Sequence, residues 1–227
     1  MFRKKKCRIM KSITIRILLL IFGIFLYGLG IVLTLKANIG YAPWEVFHVG
    51  LSLTTGISIG TASIIVGVVI VAIVTICGEA IGLGTLFSMI LTGVFIDLIN
   101  MTSVIPQATN MIVGIMMLIA GLFIISIGSY FYMKTAFGAG PRDNLMVLLN
   151  RKTKLPVGVC RSAVELSVTL VGWILGGMLG IGTVISVFAI GLCIQIVFTI
   201  FRFDAAVVEH ETLKQTYTSI RSLKRKK

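Results

Sequence analysis

Four stretches of the chain, Ile17 to Leu35, Ile57 to Cys77, Met111 to Met133 and Ile181 to Phe201, are continuously apolar and carry no charge. About 20 such residues span a bilayer as a helix, so each predicts a transmembrane element. Two further stretches keep that length but carry ionisable groups: Leu83 to Asn100 holds Asp97, and Leu155 to Leu175 holds Arg161 and Glu165. The pattern predicts an all-α, multi-pass membrane bundle of six transmembrane helices. Mean hydropathy of +1.04 adds that the bilayer, not water, is the solvent.

Between spans the chain repeats a phrase. "KANIGYAPWEV" runs from Lys36 to Val46 and "KTAFGAGPRDN" from Lys134 to Asn144, a shift of 98 positions. The shift needs no gap from 36 to 97 and matches 16 of 62 positions, including "GLGT" at Gly82 to Thr85 with "GIGT" at Gly180 to Thr183. Each copy holds three spans, so the second must enter the membrane from the opposite face. The resulting expectation is two inverted three-helix repeats, a construction common among secondary transporters. The boundaries are a basic cytoplasmic N-terminus (1–16), a first membrane repeat (17–100), an external loop (101–110), a second membrane repeat (111–201) and a basic cytoplasmic tail (202–227). The basic start could suggest a cleaved signal, but its apolar stretch is too long and matches the fourth span at the same shift (Gly23 with Gly121, Gly30 with Gly128).

Within each phrase, proline suits the first turn of a helix because its missing N–H would be unpaired there anyway. Pro43 and Pro141 therefore start short helices to about Thr54 and Asn150, with Glu45 and Asp143 in the favoured first turn. Gly40 and Gly138 let the chain bend out of the preceding span. Too short to cross, these helices lie on the interface, with Tyr41 and Trp44 as belt aromatics, or re-enter the membrane. A re-entrant helix start beside Lys36 or Lys134 could bind an anionic group. Glu45, His48 and Ser52 share one helix face. Gly82, Gly84 and Thr85, like Gly180, Gly182 and Thr183, read as turns into spans three and six with the threonines capping.

Charge fixes orientation. Twenty of the 21 Lys and Arg residues lie at the N-terminus, in the connection of spans four and five, or in the tail, leaving Lys36 alone on the other side. Basic residues stay cytoplasmic, so both termini are expected on the cytoplasmic side of the membrane. The net charge of +13 then reflects topology and anionic lipid headgroups at the termini, not nucleic acid. Cys7, Cys77, Cys160 and Cys193 form no Cys-x-x-Cys pair and meet two histidines, so neither metal nor cofactor is expected. No catalytic constellation appears, and an enzyme is not expected.

Ionisable residues where the copies differ are the natural candidates for chemistry. Glu165 aligns with Gly67 and Asp97 with Gln195. Glu165 lies about 15 Å along its helix from Leu155, near the midplane. A charge there is expensive and by default functional, as a proton or substrate-cation site. Arg161, one turn earlier, is its alternative role as a neutralising partner. Asp97 is either a second coupling group or a wet interfacial acid.

With "GYAPWEVFHVGL" (Gly40 to Leu51), "GAGPRDNLM" (Gly138 to Met146), the Arg161/Glu165 pair and "GWILGGMLGIGT" (Gly172 to Thr183), the chain resembles the YitT/YczE group of bacterial integral membrane proteins. It departs at Asn144, where glycine is usual, and at Leu192, where proline usually follows Gly191. The resemblance implies an inner-membrane protein of unassigned biochemistry, some members being linked to regulation or secondary-metabolite production, and carries over no catalytic residues. Lys36, Pro43, Glu45, Pro141, Arg142, Asp143, Arg161 and Glu165 fit its pattern and also stand out physically.

Together these point to a small secondary transporter, proton-coupled in one version, whose site is lined by Glu165, Arg161 and the starts of the two proline-led helices. The solute is unspecified, and because six spans enclose little volume a homodimer is expected. The alternative is a membrane regulator or scaffold that holds a cytoplasmic partner through the basic loop and tail.

Overall fold

The computed structural model describes residues 13–79, 81–138, 140–203 and 208, and of Val157 the backbone alone. The basic residues from Arg3 to Lys11 and the tail beyond residue 208, with the lipid and partner roles expected of them, lie outside the described residues. Among the described residues there are eight helices and no strand: α1 (Ile13–Lys36), α2 (Pro43–Thr55), α3 (Ile59–Ile76), α4 (Leu83–Met101), α5 (Met111–Lys134), α6 (Pro141–Thr153), α7 (Val157–Ile174) and α8 (Ile181–Ile200). Five of them, α1, α3, α4, α5 and α8, are long and apolar enough to cross a membrane. The span expected over Leu155 to Leu175 reaches that standard only when α7 is joined to α6 across a bend of 118°, since its described stretch, Gly158–Ile174, is short.

Local chemistry sets the ends. Pro43 and Pro141 open α2 and α6 behind the extended residues Ala42 and Gly140. Each short helix closes on a left-handed residue, Gly56 (φ 77°) and Lys154 (φ 59°). Ser58 caps α3 by accepting from the Thr61 N–H at 3.1 Å, and Asn110 caps α5. Thr85 and Thr183 act from the third helical position: their hydroxyls accept from the Gly82 and Gly180 N–H groups at 3.4 and 3.2 Å.

The centre of the bundle is α1 against α5. A Cβ on Gly23 would come within 2.9 Å of the Gly128 carbonyl, and one on Gly30 within 2.7 Å of the Gly121 carbonyl. Rising along α1 meets falling along α5, so the pair is antiparallel with touching backbones, which lets Cα–H and carbonyl groups pack without side chains between them. Around that pair α4 packs on α1 and α8 on α5, α2 lies against α7 and α3, and α6 lies against α3 and α7. Buried Arg16 ties α1 to the end of α5, donating from Nε to the Thr135 carbonyl at 2.9 Å with its guanidinium over Phe137.

Contacts recur with the spacing of the sequence repeat. The Gly84 N–H donates to the Phe137 carbonyl at 2.8 Å, and the Gly182 N–H donates to the Ile39 carbonyl at 2.7 Å. Gly138 nestles against Gly82 as Gly40 nestles against Gly180, at spacings no side chain would tolerate. Positive φ angles also fall in matched places: Asn38 and Ala136, Gly40 and Gly138, Gly56 and Lys154, Gly78 and Gly176.

One expectation is corrected. Trp44 is not a belt aromatic: it is 7% exposed, in a cluster with Ile70, Val74 and Leu148, and Glu45 and His48 are buried as well. The polar face of α2 points into the bundle because an arginine from α6 meets it there.

Candidate functional site

A cavity of about 270 Å³ lies at the centre of the bundle, and every helix contributes to its wall. Ile24 and Tyr27 come from α1, Trp44 and His48 from α2, Ser63 and Gly67 from α3, and Met89 and Thr92 from α4. From the second half, α5 supplies Ser129 and Tyr132, α6 Arg142 and Asp143, α7 Arg161 and Glu165, and α8 Ile190 and Phe198. Six wall positions are matched at the repeat spacing: Tyr27 with Ile125, Trp44 with Arg142, His48 with Met146, Ser63 with Arg161, Gly67 with Glu165 and Thr92 with Ile190. The charged wall residues, Arg142, Asp143, Arg161 and Glu165, all belong to the second half.

The proline-led helices deliver the first pair of charges. Their first turns meet across the cavity, so that the Arg142 guanidinium stacks over Trp44, 4.7 Å from its ring centre, while Nη2 lies 3.5 Å from Glu45 Oε1. Stacking on an aromatic face and pairing with a buried acid is a role for arginine's planar cation. Burial raises the Glu45 carboxyl above its ordinary value against the opposing pull of Arg142. Burial, and then the Arg142 charge, hold the His48 imidazole well below its ordinary value.

On α7, Arg161 Nε donates to Glu165 Oε1 at 2.8 Å, one helical turn apart. The pairing foreseen as the alternative role of Arg161 is thus present, yet both residues also line the cavity. The Arg161 side chain is 47% exposed and that of Glu165 16%, which leaves the guanidinium further N–H groups for another partner. Asp143 differs from both glutamates: its Oδ2 accepts from the Tyr132 hydroxyl at 3.2 Å, and among the described residues no cation lies in salt-bridge range of it.

Other expected site residues are elsewhere. Lys36, at the end of α1, accepts at its carbonyl from the Ala108 N–H, and Lys134 is exposed with Nζ donating to the Tyr130 hydroxyl at 2.7 Å; neither lines the cavity. Asp97 is also off the wall. Its Oδ1 accepts from the Gly60 N–H at 2.9 Å and its Oδ2 from the Ser58 hydroxyl, closing the start of α3 onto α4. Gly40, Gly138, Gly82, Gly84, Gly180 and Gly182 serve the turn contacts described above. Tyr27, Ser63, Thr92, Ser129 and Tyr132 were not singled out from the sequence, although a hydroxyl inside an apolar span was the signal that could have found them. Among the described residues no group of three His, Cys, Asp or Glu stands together to hold a metal ion.

Long apolar helices around a largely apolar cavity that carries a few charged side chains define an integral membrane protein of the helical-bundle class. The chain belongs to a family of unknown function, DUF6198, whose model matches residues 14–199. It is 33% identical over 175 residues to the uncharacterized membrane protein YczE of Bacillus subtilis (strain 168), covering 76% of this chain and 80% of that one. An uncharacterized protein of Haemophilus influenzae is 30% identical over 177 residues, covering 78% of this chain and 80% of its own. The uncharacterized protein YyaS of Bacillus subtilis is 28% identical over 178 residues, covering 77% and 88%. These agree with the resemblance carried by the Pro-Arg-Asp phrase. No solved structure matches.

Proposed function

We propose that the protein is a small secondary transporter built as two inverted repeats, moving a solute that bears a positive group and a short apolar body. The observation that carries this is the central cavity, walled by all eight helices at positions related by the repeat and charged on one half alone. The inverted relation is supported by reciprocal contacts: Gly84 with Phe137 and Gly182 with Ile39 exchange places under a shift of 98, as an approximate two-fold axis requires. In this reading both termini are cytoplasmic, and α2 and α6 re-enter from opposite faces. The cavity is completed within one chain, so a homodimer is not needed to form it.

Charge balance favours the cation. Arg142 and Arg161 are each in salt-bridge range of a glutamate, whereas among the described residues Asp143 is hydrogen-bonded to the Tyr132 hydroxyl and lies beyond that range of either arginine. Tyr27 and Tyr132 beside it offer aromatic faces to a cation. Asp143 is therefore the solute or proton site, and the Arg161–Glu165 pair is the group that rearranges around it.

The test is a thermal-shift screen of purified protein with organic cations, zwitterions and anions of matched size. A binder raises stability as its concentration exceeds its dissociation constant. Cations and zwitterions should raise Tm and anions should not; Asp143→Asn should remove the shift and abolish uptake of the best binder into proteoliposomes, and Glu165→Gln should abolish its coupling to a proton gradient. A preference for anions would sink the cation assignment. Absence of any shift, with a stoichiometric partner lost on deleting His210 to Lys227, would favour the scaffold reading instead.

A further inference from the structure

The repeat-related contacts hold throughout the bundle except at one seam. In the first half, α3 packs closely on α4. A Cβ on Gly60 would collide with the Gly93 carbonyl and with the Asp97 carboxylate, and one on Gly93 would collide with the Gly60 carbonyl. The corresponding helices of the second half, α7 and α8, share no packed interface. Among the described residues, nothing lies within 4 Å of where a Cβ would stand on their glycines at the same repeat positions, Gly158 and Gly191.

Polar groups differ in the same way. At the closed seam the Asp97 carboxylate accepts from the Gly60 N–H and the Ser58 hydroxyl, both at the start of α3. There the helix dipole favours a negative charge. At the open seam the matching residues are Gln195, Gly158 and Pro156. Gln195 is exposed, and the start of α7 behind Pro156 has no side-chain cap. An uncapped helix start leaves N–H groups in need of acceptors, and Gln195 carries an amide oxygen at the position from which Asp97 supplies its own.

We infer that the two seams are the two gates of an alternating-access cycle, with Asp97 the latch of the outer gate and Gln195 the latch of the inner one. This rests on the transporter reading above. In an inverted repeat each half can adopt the conformation of the other, so exchange of the two gives the second state at little cost in packing. The structure is then the inward-facing state: α3–α4 is shut toward the outside and α7–α8 parted toward the cytoplasm, where Arg161 is half exposed. In the other state Gly158 and Gly191 come together, the Gln195 oxygen accepts from the Gly158 N–H, and the Asp97 contacts break. A charged latch outside and a neutral one inside make the inward-facing state the resting one, because charge-assisted hydrogen bonds are the stronger.

The experiment uses the full chain in membranes, with Cys7, Cys77, Cys160 and Cys193 replaced by alanine and Ser63→Cys placed on the cavity wall. The probe is a cationic, membrane-impermeant methanethiosulfonate, applied to intact cells or to inside-out vesicles. In the parent, modification should be much faster from the cytoplasmic side. Asp97→Asn and, separately, Ser58→Ala should raise the rate from outside, on the order of tenfold for loss of one charge-assisted bond. Gly191→Trp, which fills the space the inner gate needs in order to close, should abolish outside modification even when combined with Asp97→Asn. If folded, monodisperse Asp97→Asn and Ser58→Ala variants keep the parent's sidedness, or Gly191→Trp leaves outside modification intact, the gate assignment is overturned. Modification requires no solute, so solute flux with fixed sidedness sinks the gates alone, whereas switching sidedness without flux of any solute sinks the transporter reading and leaves the gates standing.

Discussion

Asp143 and Asp97 are both aspartates within a turn or two of a helix end, and their roles separate through their neighbours. Asp97 satisfies its oxygens with a backbone N–H and a hydroxyl from α3, whereas Asp143 has a tyrosine hydroxyl and an open cavity. Nothing in the local sequence distinguishes the two, since the partners of both come from other elements. The backbone carries its own residue-scale signal. Lys154 occupies the left-handed position that Gly56 fills in the first copy, and a side chain there costs about 1 kcal/mol relative to glycine. Lys154→Gly should therefore stabilise the purified protein by about 0.5 to 1 kcal/mol, read as a rise in Tm in detergent. A fall in Tm would show that the lysine side chain contributes more than its backbone costs.

At the scale of elements, proline, the following acid and the left-handed closing residue make α2 and α6 legible in advance, because they are local devices that act within one turn. Depth of burial is not local. α2 was open to an interfacial reading, and it is buried because Arg142 on α6 neutralises Glu45 and covers Trp44. Helix pairing follows the same logic: glycines mark where two backbones can touch, but not which two. Gly121→Leu or Gly30→Leu should cost about 1–3 kcal/mol by forcing α1 from α5, whereas Gly191→Leu should change stability by less than about 0.5 kcal/mol. Denaturation of the purified variants checks this, and equal losses at all three positions would contradict the packing described.

For the whole molecule, the decisive measurement is sidedness. Thr55 and Lys152 lie at nearly equivalent places in the two copies and are both exposed. On intact cells an impermeant thiol reagent should modify Thr55→Cys and Val104→Cys, and should reach Lys152→Cys only after permeabilisation. Modification of Thr55→Cys and Lys152→Cys from the same side would refute an inverted architecture. The asymmetry of the assembled molecule is as informative as its symmetry, since one seam is shut by Gly60 and Gly93 while its counterpart at Gly158 and Gly191 stands open. Identical small residues at both seams gave no hint of that difference.

The sequence by itself determined where the helices lie, the proline-led starts of α2 and α6, and the repeated spacing, because hydrophobic length, proline and glycine act within a segment or along the chain. It also singled out Arg161, Glu165, Arg142 and Asp143, since charges in apolar surroundings are conspicuous without coordinates. Tertiary structure alone decided which of those acids is paired, which hydroxyls share their cavity, and which of two equivalent seams is closed. Each of those outcomes depends on distances between groups that lie in different helices, and no local preference of the chain encodes such distances.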